Sequence, residues 1–219
     1  MELIHLPLEI LINITDFLST KDILNLSTCS ERFQAILSFV NFNKKIKFKN
    51  INGLSYFDSF TNVEYDISGK PFPKYLRVLH WHCNDHLPSQ LPNLLESLYL
   101  SDDYYHPLPQ LPNSLKSLTL GYFYNQKLPE LPASLKSLHL GYYYNKSLPQ
   151  LPDSLECLHL GGNNEHQLPQ LPGSLKSLQL GWDYNQPLPK LPDSLRHLKV
   201  RKKFPLPAFL PSNINVKFF

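Results

Sequence analysis

The side chains able to ligate a metal or move a proton are few in this chain of 219 residues. His80, His82, Cys83 and His86 form the densest group. On a strand His80 and His82 would share one face, which is ligand-like geometry. Histidines in the first turns of a repeat array are ordinarily surface residues, so no metal site is expected. His139 and His159 recur at the same place in adjacent units and read as a pH-sensitive part of a contact surface. There is no glycine-rich phosphate loop, nucleophile elbow or His-Glu-x-x-His. Catalytic residues, cofactor and metal are therefore not expected, and the chemistry that remains is recognition.

That recognition would rest on a repeat. From Leu91 the chain repeats every twenty residues, so Leu111, Leu115, Leu118, Leu120 and Leu128 return as Leu131, Leu135, Leu138, Leu140 and Leu148. A unit this short cannot enclose a core and must stack on its copies. In the Leu-x-x-Leu-x-Leu run, Leu-x-Leu is a short strand, and each unit adds one rung to a parallel sheet. The return Leu128-Pro-Glu-Leu131-Pro disfavours helix and favours a polyproline II path. Pro-x-Ser turns the corner into the next strand. Weaker copies around Phe60, Val63 and Tyr65 and from Pro73 to Trp81 read as capping turns, and Ile214, Val216 and Phe218 alternate as a closing strand.

Within the repeats the leucine, proline and Ser-Leu columns barely change, whereas others drift. The residue between the strand leucines faces outward and reads Tyr99, Thr119, His139, His159, Gln179 and Lys199. Two places past the strand the column reads Asp102, Tyr122, Tyr142, Gly162, Trp182 and Lys202. Six rungs spaced about 4.8 Å apart make a strip roughly 25 to 30 Å long, enough for a protein or peptide. Tyr99, Tyr122, His139, Tyr142, His159, Gln179 and Trp182 are the candidate contacts on it, because exposed aromatic and polar groups together are what binding hot spots favour. Tyr122, Tyr142 and Trp182 fit packing as well as contact. Tyr124, Tyr144 and Tyr184 read as lateral packing between turns, and Asn125, Asn145 and Asn185 as caps of turn backbone.

Residues 1–45 have no such period. Leu6 to Leu18 reads as an amphipathic helix with Pro7 in its first turn, a second short helix follows Ser19-Thr20, and Ser30 reads as the N-cap of a third carrying Phe33, Ile36, Leu37 and Val40. On the first helix the apolar residues span roughly 220° at about 100° per residue. Three short helices bury one stripe, so the remaining apolar face meets the solenoid or another protein.

Leu6-Pro7, Glu9-Ile10, the Ile14 to Leu18 stretch, Lys21-Asp22-Ile23-Leu24, and Cys29 followed by Arg32-Phe33 resemble an F-box over about residues 4–40. The resemblance implies a trihelical module that binds the Skp-type adaptor of a cullin-RING ubiquitin ligase. It would place Leu6, Pro7, Ile10, Leu11, Ile14, Leu18, Ile23 and Leu24 at or behind that interface. The repeats over roughly 72–200 resemble FNIP repeats, a divergent leucine-rich class often joined to an F-box. Usual leucine-rich repeats place Asn three residues past the strand. Phe123, Tyr143, Asn163 and Asp183 stand there, so an ordinary asparagine ladder is not expected.

The expected architecture is α+β and multi-domain. A helical module over 1–45 is followed by a linker and capping turn over 46–71, a leucine-rich-like parallel β solenoid over 72–200 with polyproline-like returns and no convex helices, and a cap over 201–219. The expected function is the non-catalytic substrate-recognition subunit of an SCF-type ligase, with a Skp-type adaptor and a protein target as partners. The alternative is a leucine-rich interaction scaffold or effector with no ubiquitin link. A formal net charge of +3 favours no nucleic acid, and Lys44, Lys45, Lys47 and Lys49, like Arg201, Lys202 and Lys203, read as solvated edges. Three cysteines, an odd number, and no apolar run of membrane length point to a reducing, intracellular and cytoplasmic setting without membrane contact.

Overall fold

The computed structural model describes residues 17–19, 22, 25, 42–55, 57–208 and 210–219. Among these residues ten short strands form one parallel sheet in strict chain order. They are β1 (Ile46–Lys47), β2 (Asn62–Tyr65), β3 (Val78–Trp81), β4 (Ser97–Leu100), β5 (Ser117–Thr119), β6 (Ser137–His139), β7 (Cys157–His159), β8 (Ser177–Gln179), β9 (His197–Val200) and β10 (Asn215–Phe218). The register never slips. Leu79, Leu98, Leu118, Leu138, Leu158, Leu178 and Leu198 pair in one line across the sheet, and Val63 and Val216 extend it at either end. The two segments read as capping turns are thus full rungs, and β1 and β2 arise within 46–71.

Alternation drives this arrangement. In each strand the leucines point in and their neighbours point out, so only one register keeps every leucine dry. Leu115, Leu118, Leu135, Leu138, Leu155 and Leu158 are fully buried. The fifth leucine of the repeat behaves less uniformly: Leu108 and Leu168 are buried, whereas Leu128, Leu148 and Leu188 are only partly so. The return that carries them is the outer wall of the solenoid, with solvent on its far side. As the prolines predict, the returns hold neither helix nor strand.

Pro-x-Ser-Leu does more than turn a corner. The turn closes by a bond such as Leu135 N–H to the Pro132 carbonyl at 3.0 Å. The serine hydroxyl then donates to a leucine carbonyl of the preceding rung. Ser114, Ser134, Ser154, Ser174 and Ser194 each make this bond at 2.7 Å, to Leu95, Leu115, Leu135, Leu155 and Leu175. A serine ladder therefore satisfies corner carbonyls that would otherwise lie partly buried without partners. On the other corner Asn125 accepts the Asn145 amide at 3.0 Å and Asn145 accepts that of Glu165 at 3.2 Å, so these two cap turn backbone as expected, whereas Asn185 Oδ1 accepts from the Gln186 side chain at 2.8 Å.

Tyr104, Tyr124 and Tyr144 are fully buried and stacked along the solenoid at 6.2 and 6.3 Å between ring centres, and Tyr184 is buried likewise. Their column is structural. At the amino-terminal end aromatics replace leucine: Phe48 stacks on Tyr65 at 4.6 Å, and Tyr65 on Trp81 at 6.1 Å.

The three expected helices fall almost wholly outside the described residues. Within them, Phe17, Asp22 and Asn25 are helical. The Asp22 amide donates to Ser19 Oγ at 3.2 Å, the bond of an N-cap at the start of the second helix. Leu18 packs against the solenoid core, and its carbonyl accepts Lys44 Nζ at 2.7 Å.

Candidate functional site

The period-two alternation of the strands aims one residue per rung away from the core, and the invariant register lines those residues up. His80, Tyr99, Thr119, His139, His159, Gln179, Lys199 and Lys217 form this outward row. With β1 and β2 included, the strip is longer than six rungs. Its members touch along the solenoid. His80 stacks on Tyr99 at 4.6 Å, and the His139 and His159 rings sit 4.2 Å apart. His139 Nε2 lies 2.9 Å from Ser137 Oγ. Burial holds the pKa of His139 below the usual histidine value. His159 is lowered by burial first, then by His139 and Lys199. His80 is pushed down to about 4, chiefly by burial, with Lys45 and His82 adding to it. These imidazoles are therefore neutral at neutral pH and present ring faces rather than charge.

The second row lies at the corner just past the strands. Tyr122 and Tyr142 stack at 5.1 Å and an interplanar angle of 11°. The Tyr122 amide is held by Asp102 Oδ1 at 3.1 Å. Tyr142 then lies over Gly162, where a Cβ would come within 2.3 Å of its ring. Beyond the glycine stands Trp182, 56% exposed, whose indole meets Phe219 edge-on at 4.8 Å. The two rows together bound a trough of about 470 Å³ whose walls include Tyr142, Gly162, Trp182, Lys199 and Phe219.

The structure thus brings Tyr122, Tyr142, Gln179 and Trp182 together around one trough. His139 and His159 lie beside it in the outward row, and His159 also lines a second depression. Tyr99 stands at the far end of the strip with His80. Phe219 went unnoticed in the sequence because it follows the closing strand and breaks its alternation. Phe123 and Tyr143, 51% and 41% exposed and stacked at 5.5 Å, carry the aromatic edge one place further round.

Of the eight residues placed at the adaptor interface, Leu18 alone is among the described residues; Leu6, Pro7, Ile10, Leu11, Ile14, Ile23 and Leu24 lie outside them. The histidine group near β3 disperses. His82 Nε2 stands 4.0 Å from Glu64, His86 packs on His106, and Cys83 is buried with its thiol on the Tyr65 carbonyl and its pKa pushed up to about 11 by burial. Among the described residues no group of three His, Cys, Asp or Glu could hold a metal, and no helix is long and apolar enough to cross a membrane.

Glutamates beside the strands bridge successive rungs: Glu96 lies between Arg77 and Lys116 at 2.5 and 3.0 Å, and Glu156 between Lys136 and Lys176 at 3.4 and 2.5 Å. These pairs are exposed and contribute modestly, but they mark where the basic charge lies.

Comparison with known proteins agrees with this geometry. The crystal structure of CroV588, a novel circular LRR protein structure, superposes with a TM-score of 0.62 at 26% identity over 81% of this chain. The match covers 32% of that chain, so this protein spans about a third of its length. No curated protein matches the sequence. An F-box domain is matched at residues 3–45. The FNIP Repeat model matches 84–123, 124–163 and 163–203, two rungs at a time and together more than half of the 219 residues. The chain belongs to the FNIP repeat family, with an F-box domain ahead of its repeats.

Proposed function

We propose that this protein is the non-catalytic substrate-recognition subunit of an SCF-type cullin-RING ubiquitin ligase. The observation that carries the reading is the pairing of an F-box match at 3–45 with a solenoid whose outward rows bear exposed aromatics. Residues 1–45 would seat a Skp-type adaptor through Leu6, Pro7, Ile10, Leu11, Ile14, Leu18, Ile23 and Leu24. The stretch 46–71 would join that module to the repeats of 72–200, and 201–219 would close them. Tyr99, Tyr122, His139, Tyr142, His159, Gln179 and Trp182 would hold the target protein. Ubiquitin transfer would be accelerated by proximity, since tethering raises the effective concentration of target lysines near the charged enzyme.

The test is capture of purified Skp-type adaptor by the full chain. Replacing Leu6 and Pro7 together by Ala is expected to abolish capture while leaving the thermal transition of the repeats in place. No capture by the unaltered chain would leave an interaction scaffold as the function. The target surface is tested separately, by comparing proteins labelled in cells by the unaltered chain and by the Trp182→Ala variant.

A further inference from the structure

The trough beside Trp182 is a gap in an otherwise continuous row of rings. Tyr122 and Tyr142 stack on each other, and Tyr142 then lies over Gly162. No side chain rises at residue 162, and the next ring, Trp182, makes its edge-to-face contact with Phe219 instead. The result is an apolar notch floored by Leu160, Gly161 and Leu180. A second depression of about 130 Å³ adjoins it, sharing Gln179 and Lys199 and lined also by His159, His197 and Lys217. Lys199 reaches over the Phe219 ring at 5.5 Å, at the boundary between the two.

Neither depression is lined by an aspartate or glutamate, whereas Lys199 lines both and Lys217 the second. Among the described residues no carboxylate pairs with Lys199, Lys217 or Arg196. Glu156, just ahead of β7, is already held between Lys136 and Lys176. On the corner side Asp183 stands next to Trp182 and is exposed. An apolar socket bordered by unpaired lysines is complementary to one kind of ligand.

We infer that this site takes an acidic peptide segment of the partner protein, with one aliphatic or aromatic side chain seated in the notch between Gly162 and Trp182 and flanking carboxylates on Lys199 and Lys217. The inference rests on the outward rows being the target-binding surface, and it specifies the chemistry of the target. A single-stranded nucleic acid would also be drawn to lysines and rings, but it needs open ring faces on which bases stack. Both faces of Tyr142 are covered, one by Tyr122 and the other by the Gly162 turn.

The protein carries its own reporter. It has two tryptophans, and Trp81 is fully buried, so a change in indole emission on ligand binding reports Trp182. The full chain is titrated with three fluorescein-labelled ten-residue peptides: one with Leu between paired glutamates, one with Gly in place of that Leu, and one with Lys in place of the glutamates. A labelled oligothymidine serves as the fourth probe. The acidic Leu peptide is expected to bind and to shift Trp182 emission, with affinity falling about tenfold or more for the other two peptides. K199E and K217E together, and separately W182A, should weaken it to a similar extent.

Equal binding of the lysine peptide, indifference to K199E/K217E, no detectable binding of the acidic Leu peptide, or tighter binding of the oligonucleotide would each overturn the inference. If labelling of targets in cells depends on Trp182 while the acidic peptide fails, the target surface stands and this ligand chemistry falls. If labelling is indifferent to Trp182, the target surface itself falls.

Discussion

Gly141 sits against the Gly121 carbonyl so closely that a Cβ on it would lie 1.8 Å from that oxygen. The same holds for Gly161 over Gly141 and Gly181 over Gly161, at 1.7 and 1.8 Å. None of these glycines has a positive φ. They are required by the approach of backbone to backbone between turns, not by an unusual torsion. Gly141→Ala should therefore destabilise the array by about 3 kcal/mol or more, because the clashing atom is main chain and cannot swing aside. Gly173→Ala, where a Cβ meets nothing within 4 Å, should be close to neutral. Urea denaturation of the two variants checks the contrast, and comparable transitions would refute it.

Removing one rung of the serine ladder should cost about 1 to 1.5 kcal/mol, since Ser134→Ala leaves the Leu115 carbonyl without its 2.7 Å donor. Ser134 and Ser174 serve carbonyls two rungs apart, so the double variant should lose the sum of the single losses. Denaturant midpoints of the three proteins measure this.

Asn164 stands in the buried column otherwise occupied by Tyr104, Tyr124, Tyr144 and Tyr184, is itself 1% exposed, and its Nδ2 has no partner among the described residues. Asn164→Tyr should join the stack ending at Tyr144 to Tyr184 and stabilise the solenoid by about 1 kcal/mol. A lower melting temperature for the variant would mean that the turn at 161–164 has closed around the smaller side chain.

Acidification should loosen the fold in a defined window. The folded chain keeps His80 neutral down to about 4, and His139 and His159 are lowered in the same direction, whereas unfolded histidine takes its proton near 6.5. Below about 6.5 the unfolded state binds protons that the folded state refuses, so stability falls until pH 4, where His80 also charges in the fold. Because His80 is only half-buried, its share is on the order of 1 kcal/mol between pH 7 and pH 5, roughly 2 to 4 °C in melting temperature. His80→Gln should remove that share. An unchanged pH profile in the variant would locate the effect elsewhere.

Trp182→Ala is expected to shift the melting temperature by no more than about 2 °C, since that side chain is largely exposed, whereas Tyr142→Ala, which also loses the stack on Tyr122, should cost about 2 to 4 °C. The same variants should weaken target capture. A large loss of stability would assign these rings to packing.

The leucine period was legible because stacking compels every unit to present the same residues to the same neighbours. Strand, return and corner all follow from one twenty-residue string. The tyrosine column was legible for the same reason: Tyr124 and Tyr144 hold equivalent places, and equivalents meet. What was hidden depends on how far one turn is offset from the next. The glycine after Leu-x-Leu reads as a turn residue until the carbonyl beneath it is seen. Gly162 reads as a missing aromatic until Tyr142 is found lying across it. Phe60, Val63 and Tyr65 looked like poor copies because aromatics fill the space leucine fills elsewhere, yet their strand pairs in full register. Phe219 reaches the trough only because β10 lies beside β9.

The unslipping register between consecutive strands has a consequence for how such a solenoid changes over generations. Each outward position is insulated from its own rung's leucines by the pleat, so one surface letter can be rewritten without disturbing the hidden ones. Duplicating or deleting a whole twenty-residue cassette would lengthen or shorten the reading surface and leave every other join intact. Specificity can thus be edited piecemeal while the frame that displays it stays the same.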